Sequence, residues 1–173
     1  MANGGSTVDT GVAANTHPTV DACSIADSLG IVGDRWTILI LRDAFRGLRR
    51  FDEFRRDLDI PRAVLADRLR RLVDHGVMAK RVYQERPVRH EYRLTRMGLE
   101  LSPILVALMQ WGDRWLSEDG PPTLLVHEAC DTEIEVGLRC VRCDRDVAPT
   151  EVTSHPGHLS APATEPPTEE LSG

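Results

Sequence analysis

No stretch of this 173-residue chain approaches the roughly 18–20 consecutive apolar residues that a membrane span needs. The opening residues, MANGGSTVDTGVAANTHPT, lack a basic start and an apolar core, so they do not read as a secretory signal, and a cytoplasmic location is expected. In that compartment four cysteines point to ligands, sensors or core residues before structural disulfides. The chain has no glycine-rich phosphate loop, no nucleophile elbow and no helical His-Glu-x-x-His motif. No enzymatic activity is expected. Lysine is nearly absent: 20 of the 21 basic residues are arginine, the side chain suited to phosphate and guanine.

What is present is a segregation of charge. The 65 residues from Asp34 to Gly98 carry 17 Lys or Arg against 10 Asp or Glu, a net of +7. The remainder carries a net of −13, which gives the whole chain its formal −6. A DNA duplex responds to the local field of one face, so the acidic average does not exclude it as a partner.

The periodicity places elements on this basic block. A short helix is expected over Ser24 to Leu29, ended by Gly30. Asp34 is a candidate N-cap for an apolar helix through Phe45, with a strand at Ile38–Leu41 as the competing reading. Phe51, Phe54 and Leu58 repeat at three and four residues, marking a third helix. Pro61 suits the first position of a fourth, whose stripe is Val64, Leu65, Leu69, Leu72 and Val73 and whose end is Gly76. The period then becomes two: Val77–Gln84 and Val88–Leu94 read as strands joined by Glu85, Arg86 and Pro87. Thr95 caps a long helix striped with Leu101, Ile104, Leu105, Leu108, Trp111 and Trp115, a face broad enough to pack on a partner subunit. The expected fold is mainly α with a small β wing, a winged helix-turn-helix. Its domain spans 21–119, after a flexible tail at 1–20. A small Cys/His-containing module follows at 123–159, and 160–173 has the composition of a disordered tail.

These segments resemble the HxlR family of bacterial winged-helix transcriptional regulators, relatives of the MarR group. The likeness covers residues 21 to 117 and rests on Cys23, Gly33-Asp34-Arg35-Trp36, Gly47-Leu48-Arg49-Arg50-Phe51-Asp52-Glu53-Phe54, Leu65, Leu69, Leu72 and Gly76, Tyr92-Arg93-Leu94-Thr95 with Gly98, and Trp111-Gly112. One departure is Pro61, where the family commonly has serine. The resemblance implies a homodimer, formed by the N-terminal and long helices, on a palindromic operator. It also implies an effector, a small molecule or, through an N-terminal cysteine such as Cys23, an oxidant or electrophile.

The candidate DNA-binding residues are Arg62, Ala63, Asp67, Arg68 and Arg71 on the fourth helix, Arg86 and Arg89 at the wing tip, and Arg49 and Arg50 toward phosphates. The alternative for this face is solvent, or an acidic protein partner of a winged-helix interaction module. Cys23 reads either as a thiol activated at a helix start or as a small buried hydrophobe. His127-x-x-Cys130 and Cys140-x-x-Cys143 supply four ligands in two pairs, a set that suits structural zinc, with a redox-active cysteine pair and ordinary packing as competing readings. Ile134, Val136 and Leu138 alternate between the pairs and read as a strand. His155 or His158 could substitute for His127.

Overall fold

A computed structural model describes residues 23–154. The expectations for 1–20, His155, His158 and 160–173 lie outside the described residues. Two compact bodies divide within one helix, between Leu108 and Met109.

The first body begins with α1 (Ser24–Val32), α2 (Arg35–Phe45), α3 (Phe51–Leu58) and α4 (Arg62–Asp74). An antiparallel hairpin of β1 (Met78–Glu85) and β2 (Val88–Leu94) follows, then a single turn, α5 (Arg96–Leu99), and α6 (Ser102–Leu116). This is the order of a winged helix-turn-helix, as expected. Ile38–Leu41 is helical, which removes the strand alternative.

Three boundaries differ from the sequence reading. Helix α1 passes through Gly30 and ends at Gly33, whose amide donates to the Leu29 carbonyl. The helix penalty of one glycine, about 1 kcal/mol, is offset by carrying Val32 into the core. Pro61 is the residue before α4 and not its first helical residue, and its carbonyl accepts from the Leu65 amide. The long helix expected from Thr95 is two helices. Thr95 does cap, accepting from the Gly98 amide at 3.2 Å, but the chain turns at Glu100–Leu101. Pro103 explains the break, because it lacks an amide for the Leu99 carbonyl and its ring clashes there.

The core is built from Ile40 and Leu41 of α2, Phe54 of α3, Ile60 of the turn, Leu65, Leu69 and Leu72 of α4, and Val77 and Met78 leading into the wing. Helix α4 packs on α2, α3 and β1 together. Gly98 meets this core closely: a Cβ there would stand 2.3 Å from the Val77 carbonyl oxygen, so only glycine fits. Asp43 is buried beneath Arg42 and Arg46, at 2.8 and 3.3 Å. Burial raises its pKa, with Arg42 opposing the shift.

The second body contains the rest of α6 and two minimal hairpins, β3 (Val126–His127) with β4 (Thr132–Glu133), and β5 (Arg139–Cys140) with β6 (Arg145–Asp146). A 3-10 turn at Pro149–Glu151 follows. Ile134–Leu138 is not the expected strand. Its backbone is irregular and pairs with a side chain: Gln110 donates to the Ile134 carbonyl at 2.6 Å and accepts from the Val136 amide at 3.1 Å. Alternation alone could not show that a helix side chain takes these hydrogen bonds.

Candidate nucleic-acid interface

The turn between α3 and α4 sets how α4 is presented. Asp59 adopts a left-handed conformation, φ 46°, Ile60 is buried, and Pro61 leads into the helix. With Leu65, Leu69 and Leu72 inward, helical geometry leaves Ala63, Asp67 and Arg70 outermost and puts position 68 on the flank. Arg62, Ala63, Ala66 and Arg70 are exposed. Ala63 and Ala66 are small enough to let a duplex approach the helix backbone.

Arg62 stands over the Phe51 ring at 5.3 Å, a cation–π contact that orients its guanidinium on the first turn of α4. Arg50 stands over Tyr83 at 4.7 Å. Tyr83 is the extra residue of a β-bulge, since Val82 pairs with His90 and Gln84 with Arg89. The segment at Arg49–Arg50 is fixed at both ends. The Arg49 carbonyl accepts from the Tyr92 amide at 2.7 Å, and Glu53 accepts from the Arg49 and Arg50 amides at 3.0 and 2.9 Å. Those two amides hold the Glu53 carboxyl below its ordinary pKa. Between α3, the start of α4 and the wing lies a groove of about 550 Å³. Arg50, Arg56, Arg62, Lys80 and Arg89 line it against only Asp52 and Glu53, so its field is positive. Arg86 and Arg89 are exposed at the wing tip.

Arg50 has an ion pair with Glu53 at 3.8 Å, and two of the predicted arginines on α4 are tied to other helices. Arg68 grips both oxygens of Asp34, at 2.7 and 3.3 Å, and Asp67 at 2.7 Å. Asp34 in turn caps α2, accepting from the Trp36 and Thr37 amides at 3.1 and 3.3 Å. Arg68 therefore ties α4 to the start of α2. Arg71 donates to the Gly30 carbonyl at 3.0 Å, tying α4 to α1. Asp67 is shared, since Arg70 also binds it. Arg56, read from the sequence as meeting phosphates or solvent, lines the groove, and so do Lys80 and Tyr83; neither of those two nor Arg70, exposed on α4, is among the sequence candidates. A strict helical wheel anchored on Leu65 and Leu69 places Arg70 outward, whereas the bulge at Tyr83 leaves no local sequence signal.

The Arg68 guanidinium holds the Asp34 carboxyl below its ordinary pKa, and Arg70 first, then Arg68, does the same for Asp67. A carboxylate depressed in the folded state stabilises above its unfolded pKa and loses that contribution as pH falls through its folded value. The first body is therefore expected to lose thermal stability as pH drops below about 4, and an Asp34→Ala variant, already less stable, to show a shallower acid decline. Asp43 has the opposite sign and partly offsets the trend. Melting temperature against pH for both proteins measures this, and parallel curves would remove Asp34 from the account.

Cys23 is half-buried just before α1, and its carbonyl accepts from the Asp27 amide. His127 and Cys140 end β3 and β5, and Cys130 and Cys143 lie in the turns that follow. The structure brings each pair together, with His127 Nδ1 at 3.3 Å from Cys130 Sγ and the Cys143 amide donating to Cys140 Sγ at 3.5 Å. Among the described residues no three His, Cys, Asp or Glu side chains converge on one metal position.

A helix-turn-helix, a basic groove and a β wing define a winged-helix DNA-binding protein. A family model described as HxlR-like helix-turn-helix matches residues 31–120. The chain belongs to that family, and it is a winged helix-turn-helix transcriptional regulator of the HxlR and MarR-like group. An HTH-type transcriptional regulator of Mycobacterium tuberculosis is 45% identical over 135 residues, covering 78% of this chain and 85% of the relative. Another from Synechocystis is 36% identical over 110 residues, covering 61% and 82%. Among solved structures, the transcription factor PA1607 superposes with a TM-score of 0.71 at 37% identity, covering 79% of this chain and 96% of that one. The redox regulator HypR in its oxidized form gives 0.51 at 31%, covering 55% and 99%. Such regulators are a non-catalytic class. No helix among the described residues is long and apolar enough to cross a membrane.

Proposed function

We propose that this chain is a homodimeric repressor that binds a palindromic operator, placing α4 of each subunit in a major groove. The observation that carries this reading is the exposed face of α4 at Arg62, Ala63, Ala66 and Arg70, set beside a groove rich in arginine. Arg62 and Ala63, at the N-terminal end of α4, address base edges. Arg49, Arg50 and Arg56 address phosphates, and Arg86 and Arg89 the flanking backbone or minor groove. Arg68 and Arg71 position α4 through Asp34 and Gly30.

Dimerisation is supported by large apolar side chains left at the surface of one subunit. Ile25 and Leu29 of α1 are 72% and 58% exposed, and Ile104 and Leu108 of α6 are 55% and 51% exposed. Trp111 and Trp115 continue the spacing along α6. The likeness to a redox regulator adds Cys23 as the thiol through which an oxidant would act.

The test is a gel shift of the full-length protein on the DNA upstream of its own gene. Dimers should protect half-sites about 34–36 Å apart, and affinity should fall steeply with salt as counterions return to the phosphates. Equal binding to that DNA and to random duplex would overturn operator recognition. Increased transcription of a reporter bearing the operator would overturn repression.

A further inference from the structure

The second body contains an internal repeat with an offset of 13 residues. Leu125, His127, Cys130, Asp131 and Ile134 correspond to Leu138, Cys140, Cys143, Asp144 and Val147. The backbone repeats with the sequence. The Asp131 amide donates to the His127 carbonyl at 2.8 Å, and the Asp144 amide to the Cys140 carbonyl at 2.9 Å. The Ile134 amide donates to the Leu125 carbonyl at 2.9 Å, and the Val147 amide to the Leu138 carbonyl at 2.9 Å. Pairing repeats as well, His127 with Thr132 and Cys140 with Arg145.

At the same place in each unit stands an aspartate in the left-handed region, Asp131 at φ 56° and Asp144 at φ 54°. Glycine is the usual residue for that conformation, and a non-glycine residue there costs of order 1 kcal/mol or more. Its recurrence at the same place gives both units the same turn. In the first unit this turn brings the His127 ring to the Cys130 thiol, and in the second it aims the Cys143 amide at Cys140 Sγ.

We propose that His127, Cys130, Cys140 and Cys143 bind one zinc ion, each hairpin supplying one pair of ligands. Zinc bonds of about 2.0–2.1 Å to nitrogen and 2.3 Å to sulfur at a tetrahedral angle set an N···S edge of about 3.5 Å. The 3.3 Å between His127 Nδ1 and Cys130 Sγ is already close to it. In the other hairpin the Cys143 amide points at Cys140 Sγ, a hydrogen bond that supports a metal-bound thiolate. Binding closes the two half-sites on one ion and releases the three thiol protons to solvent.

The same segment has little else to fold around. Val126, Ile134, Val136 and Leu138 are exposed, Val141 is 95% exposed, and each strand is two residues long. Metal coordination supplies the folding free energy that so small a core cannot.

Full-length protein purified under reducing conditions from zinc-supplemented cells should hold one zinc per chain by elemental analysis. Cys130→Ser and Cys140→Ser should each lose it. Asp131→Gly and Asp144→Gly should retain it, because glycine satisfies the same turn. Since a serine variant could lose metal by unfolding, Co2+ titration of the metal-stripped native chain gives a second measurement. Saturation at one equivalent, with the visible bands of a tetrahedral three-thiolate, one-imidazole site, supports the proposal. Zinc-free native protein with no such bands, or zinc that survives both cysteine substitutions, overturns it. Neither result bears on operator binding, which the gel shift reads separately.

Discussion

Phe54→Ala is expected to destabilise the winged-helix body by about 3–5 kcal/mol. Phe54 is the largest fully buried side chain of the core and the single buried residue of α3. Truncation loses its transfer free energy and leaves a cavity that α2, α3 and α4 cannot all collapse into. Small domains are stable by about 5–15 kcal/mol, so a large part of the margin disappears. The midpoint of urea unfolding should fall sharply with the slope unchanged. DNA binding should weaken in step with the folded fraction, because α3 is the floor on which the start of α4 rests. A shift below about 1 kcal/mol would mean that α3 is not anchored through Phe54.

Arg62→Ala should act on DNA and hardly at all on folding. Arg62 is exposed and rests on Phe51, so its loss changes melting by little. A guanidinium that reads a base pair contributes about 1–3 kcal/mol, which is about 5–150-fold in affinity. The loss should be greatest on the operator and smaller on random duplex. Arg68→Ala should reverse the pattern. Its side chain is 23% exposed and its guanidinium is held by Asp34 and Asp67, so the variant should melt earlier and bind every duplex less well in the same proportion. Arg68→Lys should not rescue it, because an ammonium cannot grip both oxygens of Asp34 as the planar fork does. If Arg62→Ala leaves operator affinity intact while Arg68→Ala abolishes it without loss of stability, the assignments of these two arginines are exchanged.

The elements with strong local signals were legible in the sequence. Asp34 before an apolar run, the three-and-four spacing of Phe51, Phe54 and Leu58, and Gly76 after the stripe of α4 each fix an end or a face through chemistry a few residues away. The break of the long helix at Pro103 is also local, but three other misses share a different cause. Gly30 is a poor helix residue, yet α1 continues through it because Val32 is buried beyond. Ile134 to Leu138 alternates like a strand, but Gln110, more than 20 residues earlier, takes two of its backbone hydrogen bonds, at the Ile134 carbonyl and the Val136 amide. Arg68 looks like one more cation on a basic face, and only the approach of Asp34 across 34 positions of chain draws it inward. In these three cases the deciding contact is distant in sequence, and composition and period do not contain it.

The link between Asp34 and Arg68 bears on any attempt to retarget this protein to a new DNA sequence. Randomising the whole of α4 would fill a library with clones in which the capping aspartate of the second helix has lost its arginine partner. Varying positions 62, 63, 66 and 70 while keeping 34 and 68 fixed changes what meets the duplex and leaves the chassis alone. A recognition helix borrowed from a relative would need its own acid–arginine pair transplanted with it, so the portable unit is α4 together with the first residue ahead of α2.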